Sequence, residues 1–306
     1  MRHRIPLPRQ LNDAFSVADA AARGVGRGRR DAADLDRPFH GVRALRAPET
    51  LTEKVACYLP RLRPGQRFGA RTALHLWGLP APWRWHPADP LDIVVDTSAM
   101  PPRAHGTRGM RLAETKAETW AIARAPLVDP LAATFQCAAD LTVTQAVVLL
   151  DALITTADNY PGRHVRWPVI TVEDIAQRLE SWGRFAGCAT IRRALPHVRP
   201  GVESPKETET RLLIVSAKLP EPVVQHEVRL DGILIARVDL AYPHLRIAFE
   251  YEGDGHRTDR EQWRRDIRRQ RDLEDLGWIV IRLTQSDLAV PAPFLARARR
   301  AVASRG

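Results

Sequence analysis

Apolar and polar positions alternate differently in successive parts of the chain. Before residue 40 large apolar groups are sparse and the polar positions are basic, with RGVGRGRR at Arg23 to Arg30. A short helix is predicted around Asn12 to Ala22. The Gly/Arg stretch after it is expected to stay flexible, because it has little to bury; it reads as a phosphate-binding arm or as a solvated tail. From Pro48 to Leu79 the spacing turns helical. Thr52 stands where it could cap a helix carrying Val55, Leu59 and Leu62, and RTALHLWGLP predicts a second helix ended by Gly78 and Pro80. PLDIVVDTS is the clearest strand of a β-rich stretch that breaks at Pro101-Pro102. Asp129 to Ile154 predicts a strongly apolar helical pair, and Thr171 to Trp182 an amphipathic helix with Thr171 and Asp174 in capping-box spacing. LPHVRPGVESP then punctuates the chain. These changes predict a flexible basic segment over 1–40, a mixed helical and β domain over 41–200 and a separate domain over 201–306.

The last third has the most regular pattern. Ser204, with Glu207 three positions on, predicts a capped helix through SPKETETRLLIVSAKLP. Val223 to His226 and Val228 to Leu230 predict a strand, Asp231-Gly232 a hairpin turn, ILIARVDLAYP a second strand and RIAFEYEGDGH a third. A basic helix follows over about Arg260 to Leu276, stopped by Gly277, and WIVIRLT is a fourth strand. In this order of helix, three strands, helix and strand, the carboxylates fall at telling places. Asp239 alternates with Val238 and Leu240 at strand period, so it is expected on the opposite face from them. Glu250 and Glu252, two apart, are expected to share a face of the next strand. An ionised carboxylate in a strand as apolar as RIAFEYE is costly unless it meets a cation. Asp239 and Glu250, side by side on neighbouring strands, would make a hard-oxygen site suited to Mg²⁺ or Mn²⁺, an ion that activates water and neutralises charge on a phosphodiester. The alternative is an edge hairpin whose acids face solvent.

Charge agrees with an anionic partner. The 306 residues hold 46 basic against 36 acidic groups, a formal net charge of +10, and only four of the basic residues are lysine. Such a surplus favours phosphate-rich partners, although an arginine-rich composition can also reflect a GC-rich genome. With 44% hydrophobic and 27% charged residues the chain is globular in composition. No apolar run reaches membrane-spanning length and no secretory leader is read, so no membrane partner is expected. Cys57, Cys137 and Cys188 have no metal-binding or disulfide spacing; they read as reduced, buried and structural, and the expected location is the cytoplasm. His75, Trp77, Trp83, Trp85 and His86 cluster in sequence and read as core and loop residues, or as ligands or base-stacking groups.

Over residues 204–288 the chain resembles the very-short-patch-repair-like endonuclease domains of the PD-(D/E)xK, or restriction-endonuclease-like, superfamily. The resemblance is carried by Glu207 with Arg211, the KLP turn, Gln225, RVDLAYP, EYEGDGH, RRDIRRQRDLEDLGW, and IRLT running to Asp287. It implies an α+β to α/β fold class, with a C-terminal mixed sheet flanked by helices after a mixed helical and β N-terminal domain. It also implies a Mg²⁺- or Mn²⁺-dependent endodeoxyribonuclease acting on DNA, most naturally duplex, with a homodimer compatible.

The implied roles are specific. Asp239 and Glu250 would hold the metal, and Glu207 would reach it directly or through water. Glu252 stands where many relatives have lysine and this branch has aspartate. His256, backed by Asp266, would then handle the proton; the alternatives are a surface histidine, and an ion pair of Asp266 with Arg265 or Arg269. Arg211, Arg257, Arg264, Arg265 and Arg268 are candidate nucleic-acid contacts, the helix arginines being equally readable as a solubilising face. Lys218 is expected to be a loop residue, and Arg282 to brace the site from beneath. Through RPFHGVRA, RTALHLWGLP and DPLAATFQCAADL the first domain loosely resembles the region that precedes such nuclease domains in actinobacterial proteins related to abortive-infection (AbiEi-like) antitoxins, which implies a recognition or regulatory module. Lacking the motif lysine, the chain reads alternatively as a non-catalytic DNA-binding protein or antitoxin-like regulator on a nuclease fold, or as a nuclease for RNA or branched DNA.

Overall fold

The computed structural model describes residues 6–162, 170–253 and 260–306, with residues 260–266 by backbone alone. They form an α+β chain with mixed sheets flanked by helices, in two compact units. One unit takes the chain up to Leu141 together with Ile175–Ile191. The other takes Arg192–Gly306 together with the stretch that opens at Thr142. The division therefore does not fall at residue 200. Among the described residues no helix is long and apolar enough to cross a membrane.

In chain order the first unit opens with β1 (Ala14–Ser16), α1 (Val17–Ala22), α2 (Arg27–Arg30) and β2 (Val42–Ala44). The expected flexible arm is instead folded from here on. Phe15, Ala20, Val25 and Leu35 bury a small cluster of their own, and β1 pairs antiparallel with β2. The Arg43 guanidinium donates to the Arg30 carbonyl at 2.7 Å and to the Asp31 carboxylate at 2.8 Å, tying down the Gly/Arg segment. α3 (Leu51–Tyr58) starts two residues earlier than predicted from Thr52: Thr50 caps it, and Glu53 closes the capping box. β3 (Arg67–Phe68), α4 (Ala70–Trp77), β4 (Leu91–Val95), β5 (Thr107–Arg111), β6 (Thr119–Ile122) and β7 (Ala125–Val128) follow. Their sheet has the order β5-β4-β3-β7-β6. Gly78, at φ 71°, ends α4 as its C-cap. α5 (Pro130–Cys137) is capped by Asp129, which accepts from the Ala132 N–H at 2.9 Å.

α6 (Val143–Ile154) belongs to the second unit, whereas most of α7 (Val172–Trp182) and the start of α8 (Cys188–Ala194) return to the first. There Phe135, Trp182 and Phe185 pack ring against ring at 5.1–5.4 Å. Gly187, two residues after Phe185, is at φ 82°, and a Cβ on it would come within 2.2 Å of the Ala138 carbonyl carbon. Gly187→Ala is therefore expected to cost more than about 1 kcal/mol, read as a lowered Tm, because both the left-handed backbone and the missing space oppose it. An unchanged Tm would refute this.

The second unit continues with α9 (Pro205–Ser216), β8 (Val223–Leu230), β9 (Ile233–Tyr242), β10 (Ile247–Tyr251), α10 (Arg260–Asp275), β11 (Ile279–Leu283), α11 (Gln285–Ala289) and α12 (Ala292–Ala303). The sheet order is β11-β10-β9-β8, antiparallel except for the parallel β10–β11 pair. Asp231 and Gly232, at φ 50° and 82°, make the β8–β9 turn. One apolar cluster joins Leu240, Tyr242, Phe249, Ile281 and Leu283 to Ile214 of α9 and Phe294 and Ala298 of α12. A second joins Val228, Ala236, Val238 and Ala248 to Leu273 of α10 and to Trp278. The sheet is thus packed between helices, and the acids and bases considered next come from both its strands and those helices.

Candidate functional site

Glu207 enters from the first turn of α9. Ser204 accepts from its backbone N–H at 3.2 Å, but the predicted reciprocal bond is redirected. The Glu207 carboxylate accepts instead from the Glu203 N–H and from Gln225 Nε2, both at 2.9 Å. Gln225 can reach it because its backbone is left-handed at φ 49°, a kink in β8 opposite Asp239. On either side the ladder is regular, with Val224 against Leu240 and His226 against Val238. Asp239 marks a change of face. Val238 and Leu240, two apart, sit in different apolar clusters, so the even alternation expected through Asp239 is broken. Its carboxylate accepts from the Tyr251 backbone N–H at 3.0 Å. One step further along the β9–β10 register, where Phe249 pairs with Leu240, comes Glu250.

Glu207 and Glu250 are 5% and 6% exposed and Asp239 is half-buried. All three carboxyls are held above their ordinary range. Burial is the first cause throughout, and the charge of Asp239 adds to it at both Glu207 and Glu250. Glu207 is pushed up to about 7. The one cation that touches this group among the described residues is Arg269 of α10. Its Nη2 donates to Glu250 Oε1 and its Nη1 to the Arg237 carbonyl at 2.8 Å. It partly offsets the burial of both Glu250 and Asp239.

The other sequence candidates have different fates. Glu252 lies just beyond β10, exposed, and pairs with Arg282, so it does not share the buried setting of Glu250. Arg282, opposite Glu250 in the parallel register, is in position to brace the strand. Lys218 is an exposed residue at φ 64° after α9, as expected of a turn. Arg268 is exposed on α10. His256 and Arg257 lie outside the described residues, as do the side chains of Arg264, Arg265 and Asp266. Arg211 is a correction. It is 1% exposed, and its guanidinium donates to Asp151 at 3.1 Å, Glu221 at 2.7 Å and the His197 carbonyl at 2.7 Å. A guanidinium spent on three internal acceptors cannot meet a phosphate.

In the first unit Trp77 is buried, donating from Nε1 to the Val128 carbonyl, and Arg71 stacks over Trp83 at 4.2 Å. Of that cluster Trp77 serves packing, His75, Trp83 and Trp85 are half-buried and His86 is exposed. Burial raises the Cys57 and Cys137 thiols to about 11 and about 12, which suits inert structural roles; Cys188 is half-buried.

The donor chemistry suits a divalent ion. Among the described residues no three His, Cys, Asp or Glu side chains close into a metal-holding group. Asp239 and Glu250 with several waters would meet the demands of Mg²⁺, which takes one or two carboxylates, and Glu207 would act through a water. Sequence reasoning took Arg269 only as one of several basic-helix arginines able to meet phosphate and as a partner for Asp266, and passed over Asp151 altogether. The available signal was an acid inside an apolar run, which needs a cation wherever the chain can supply one.

No family model matches the chain. It is 32% identical over 102 residues to the uncharacterized protein Rv2248 of Mycobacterium tuberculosis strain H37Rv, and equally to the uncharacterized protein MT2308 of strain CDC 1551 / Oshkosh. The match covers 33% of this chain and only 38% of the length of each of those relatives. Among solved structures, the crystal structure of the RV2827C protein from Mycobacterium tuberculosis is similar with a TM-score of 0.39 and 16% identity, over 73% of this chain and 86% of that one.

Proposed function

We propose that the second unit is a Mg²⁺- or Mn²⁺-dependent endodeoxyribonuclease that hydrolyses phosphodiester bonds in duplex DNA, working in the cytoplasm in repair or anti-phage defence. The observation that carries this reading is the placing of Glu207, through Gln225, and of Glu250, through the β9–β10 register, beside Asp239, whose charge opposes the ionisation of both in a largely dry setting. Such an arrangement costs stability, and a cation-dependent function is its natural reason. A bound divalent ion would supply charge neutralisation and a more acidic water. The chain's own part is to hold that ion with Asp239 and Glu250 and to keep a water in place with Glu207. A water oxygen bonds to phosphorus, one P–O ester bond breaks, and the departing oxygen ends as a hydroxyl. The +10 net charge favours the polyanion.

A second reading has its own support. Glu250 already has Arg269 as a counter-charge, so a retained nuclease scaffold could serve a DNA-binding regulator with no chemistry. Plasmid cleavage by wild type and Glu250→Gln, purified identically with Mg²⁺, Mn²⁺ or EDTA, separates the two. Metal-dependent nicking lost in the variant is the expected result. Absence of cleavage with equal DNA binding by both proteins would favour the regulator, and equal cleavage by both would displace Glu250 from the site.

A further inference from the structure

Arg237 and Arg282 also act on the acids of the β9–β10 step, but each is paired elsewhere, with Glu203 and Glu252; among the described residues three acidic groups and one guanidinium are left, and they do not balance. Glu207, Asp239 and Glu250 bring three negative charges when ionised, whereas Arg269 brings one positive charge. The residual charge is that of one divalent cation; two such ions would overshoot it. Arg269 is also well held. It reaches in from α10 with one nitrogen anchored on the Arg237 carbonyl of β9 and the other on Glu250 Oε1. A carboxylate offers about four lone-pair positions, and one N–H donor takes a single one, so Glu250 can serve the guanidinium and an ion together. The side chain of Arg269 is 34% exposed, open enough for a ligand to touch it. The strand itself supplies no cation here, since residue 252 is a glutamate turned out to Arg282.

We propose that Arg269 fills the place of a second metal ion: the site takes one divalent cation, and the Arg269 guanidinium meets the phosphate whose bond is broken. This rests on the nuclease reading and deepens it by assigning the group that receives the substrate's charge. Guanidinium is suited to the task, being permanently charged and able to present two N–H groups to a phosphate. Because Arg269 repels the divalent ion while attracting the substrate, removing its charge should move the two properties in opposite directions. A residue that merely held the fold together would lower both.

The test uses the full chain and two readouts, Mn²⁺ bound per chain by electron paramagnetic resonance titration and cleavage of plasmid DNA. Wild type is expected to bind one Mn²⁺. Arg269→Gln is expected to bind Mn²⁺ at least as tightly while cleavage falls roughly 10²–10³-fold, the usual loss when a fixed charge-stabilising donor is removed. Arg269→Lys should recover part of the rate, and thermal melts establish that each variant is folded. Two Mn²⁺ ions per wild-type chain, unchanged cleavage by Arg269→Gln, or Mn²⁺ affinity and cleavage falling together would overturn the assignment of Arg269 and leave the nuclease reading standing. Wild type that neither binds Mn²⁺ nor cleaves, or Asp239→Asn that binds Mn²⁺ as wild type does, would overturn the reading beneath it.

Discussion

Replacing Asp239 by asparagine is expected to reduce metal-dependent DNA cleavage by about 10³-fold or more while the protein becomes no less stable. Asp239 lies between the other two acids electrostatically, raising the protonation of both Glu207 and Glu250. Its removal takes away an anionic ligand on which charge neutralisation at the phosphate would depend. Asparagine can still accept from the Tyr251 N–H through its amide oxygen, as Asp239 does at 3.0 Å, so the strand edge is preserved. The lost charge also relieves repulsion in a poorly solvated setting. A Tm equal to or above that of wild type, with cleavage lost and duplex binding retained, is the signature of a group kept for function at a cost to the fold. Cleavage unchanged in the variant would remove Asp239 from the site.

The same electrostatics set a pH dependence. Glu207 is raised to about 7, and carboxylates must lose their proton to serve a metal. Wild-type Mn²⁺ affinity is expected to rise between about pH 6 and 8. In Asp239→Asn the residual rise should shift to lower pH, because one cause of the raised value is gone.

Much of the scaffold was legible in the sequence because its signals are local. Gly78 and Gly277 stop helices, Asp231-Gly232 turns a hairpin, and Thr171 with Asp174 caps α7, each through residues within a few positions of one another. What escaped was either a tie between neighbouring candidates or a matter of distant partners. Thr50 and Thr52 are both plausible caps, and only the reciprocal bonds of Glu53 decide for Thr50. The left-handed kink at Gln225 leaves no mark on an alternating pattern, yet it brings that amide to Glu207. Similarly, the capped helix read through RLLIVS left Arg211 free to be taken as a nucleic-acid contact; its burial is set by an acid sixty positions earlier. The acidic residues of the candidate site were named from strand period and resemblance, whereas Arg269 was named only among several arginines and never set against those acids, because α10 is arginine-rich throughout and spacing alone does not select one.

Arg211→Met is expected to destabilise the second unit by about 3–5 kcal/mol near neutral pH, the usual cost of leaving a buried charge without its partner. Asp151 of α6 is fully buried, and Arg211 shares it with the Thr208 hydroxyl at 2.7 Å and the Arg199 N–H at 2.8 Å. These bonds clamp α6 onto α9, the helix that presents Glu207. Even with Arg211 present, burial raises the Asp151 carboxyl to about 6. A carboxyl whose folded-state pKa lies above its unfolded value favours folding most when protonated, and that contribution is lost as pH rises from about 4 through 6. Removing the guanidinium raises the folded pKa further, so the penalty of Arg211→Met should be smaller at pH 5 than at pH 8, where the acid is forced to ionise alone. Pairing it with Asp151→Asn should recover much of the loss at pH 8, since no unpartnered charge remains. Denaturant unfolding of the two single variants and the double variant at both pH values measures each term. A penalty that is independent of pH, or a double variant no more stable than Arg211→Met, would mean that packing rather than charge pairing holds α6 against α9.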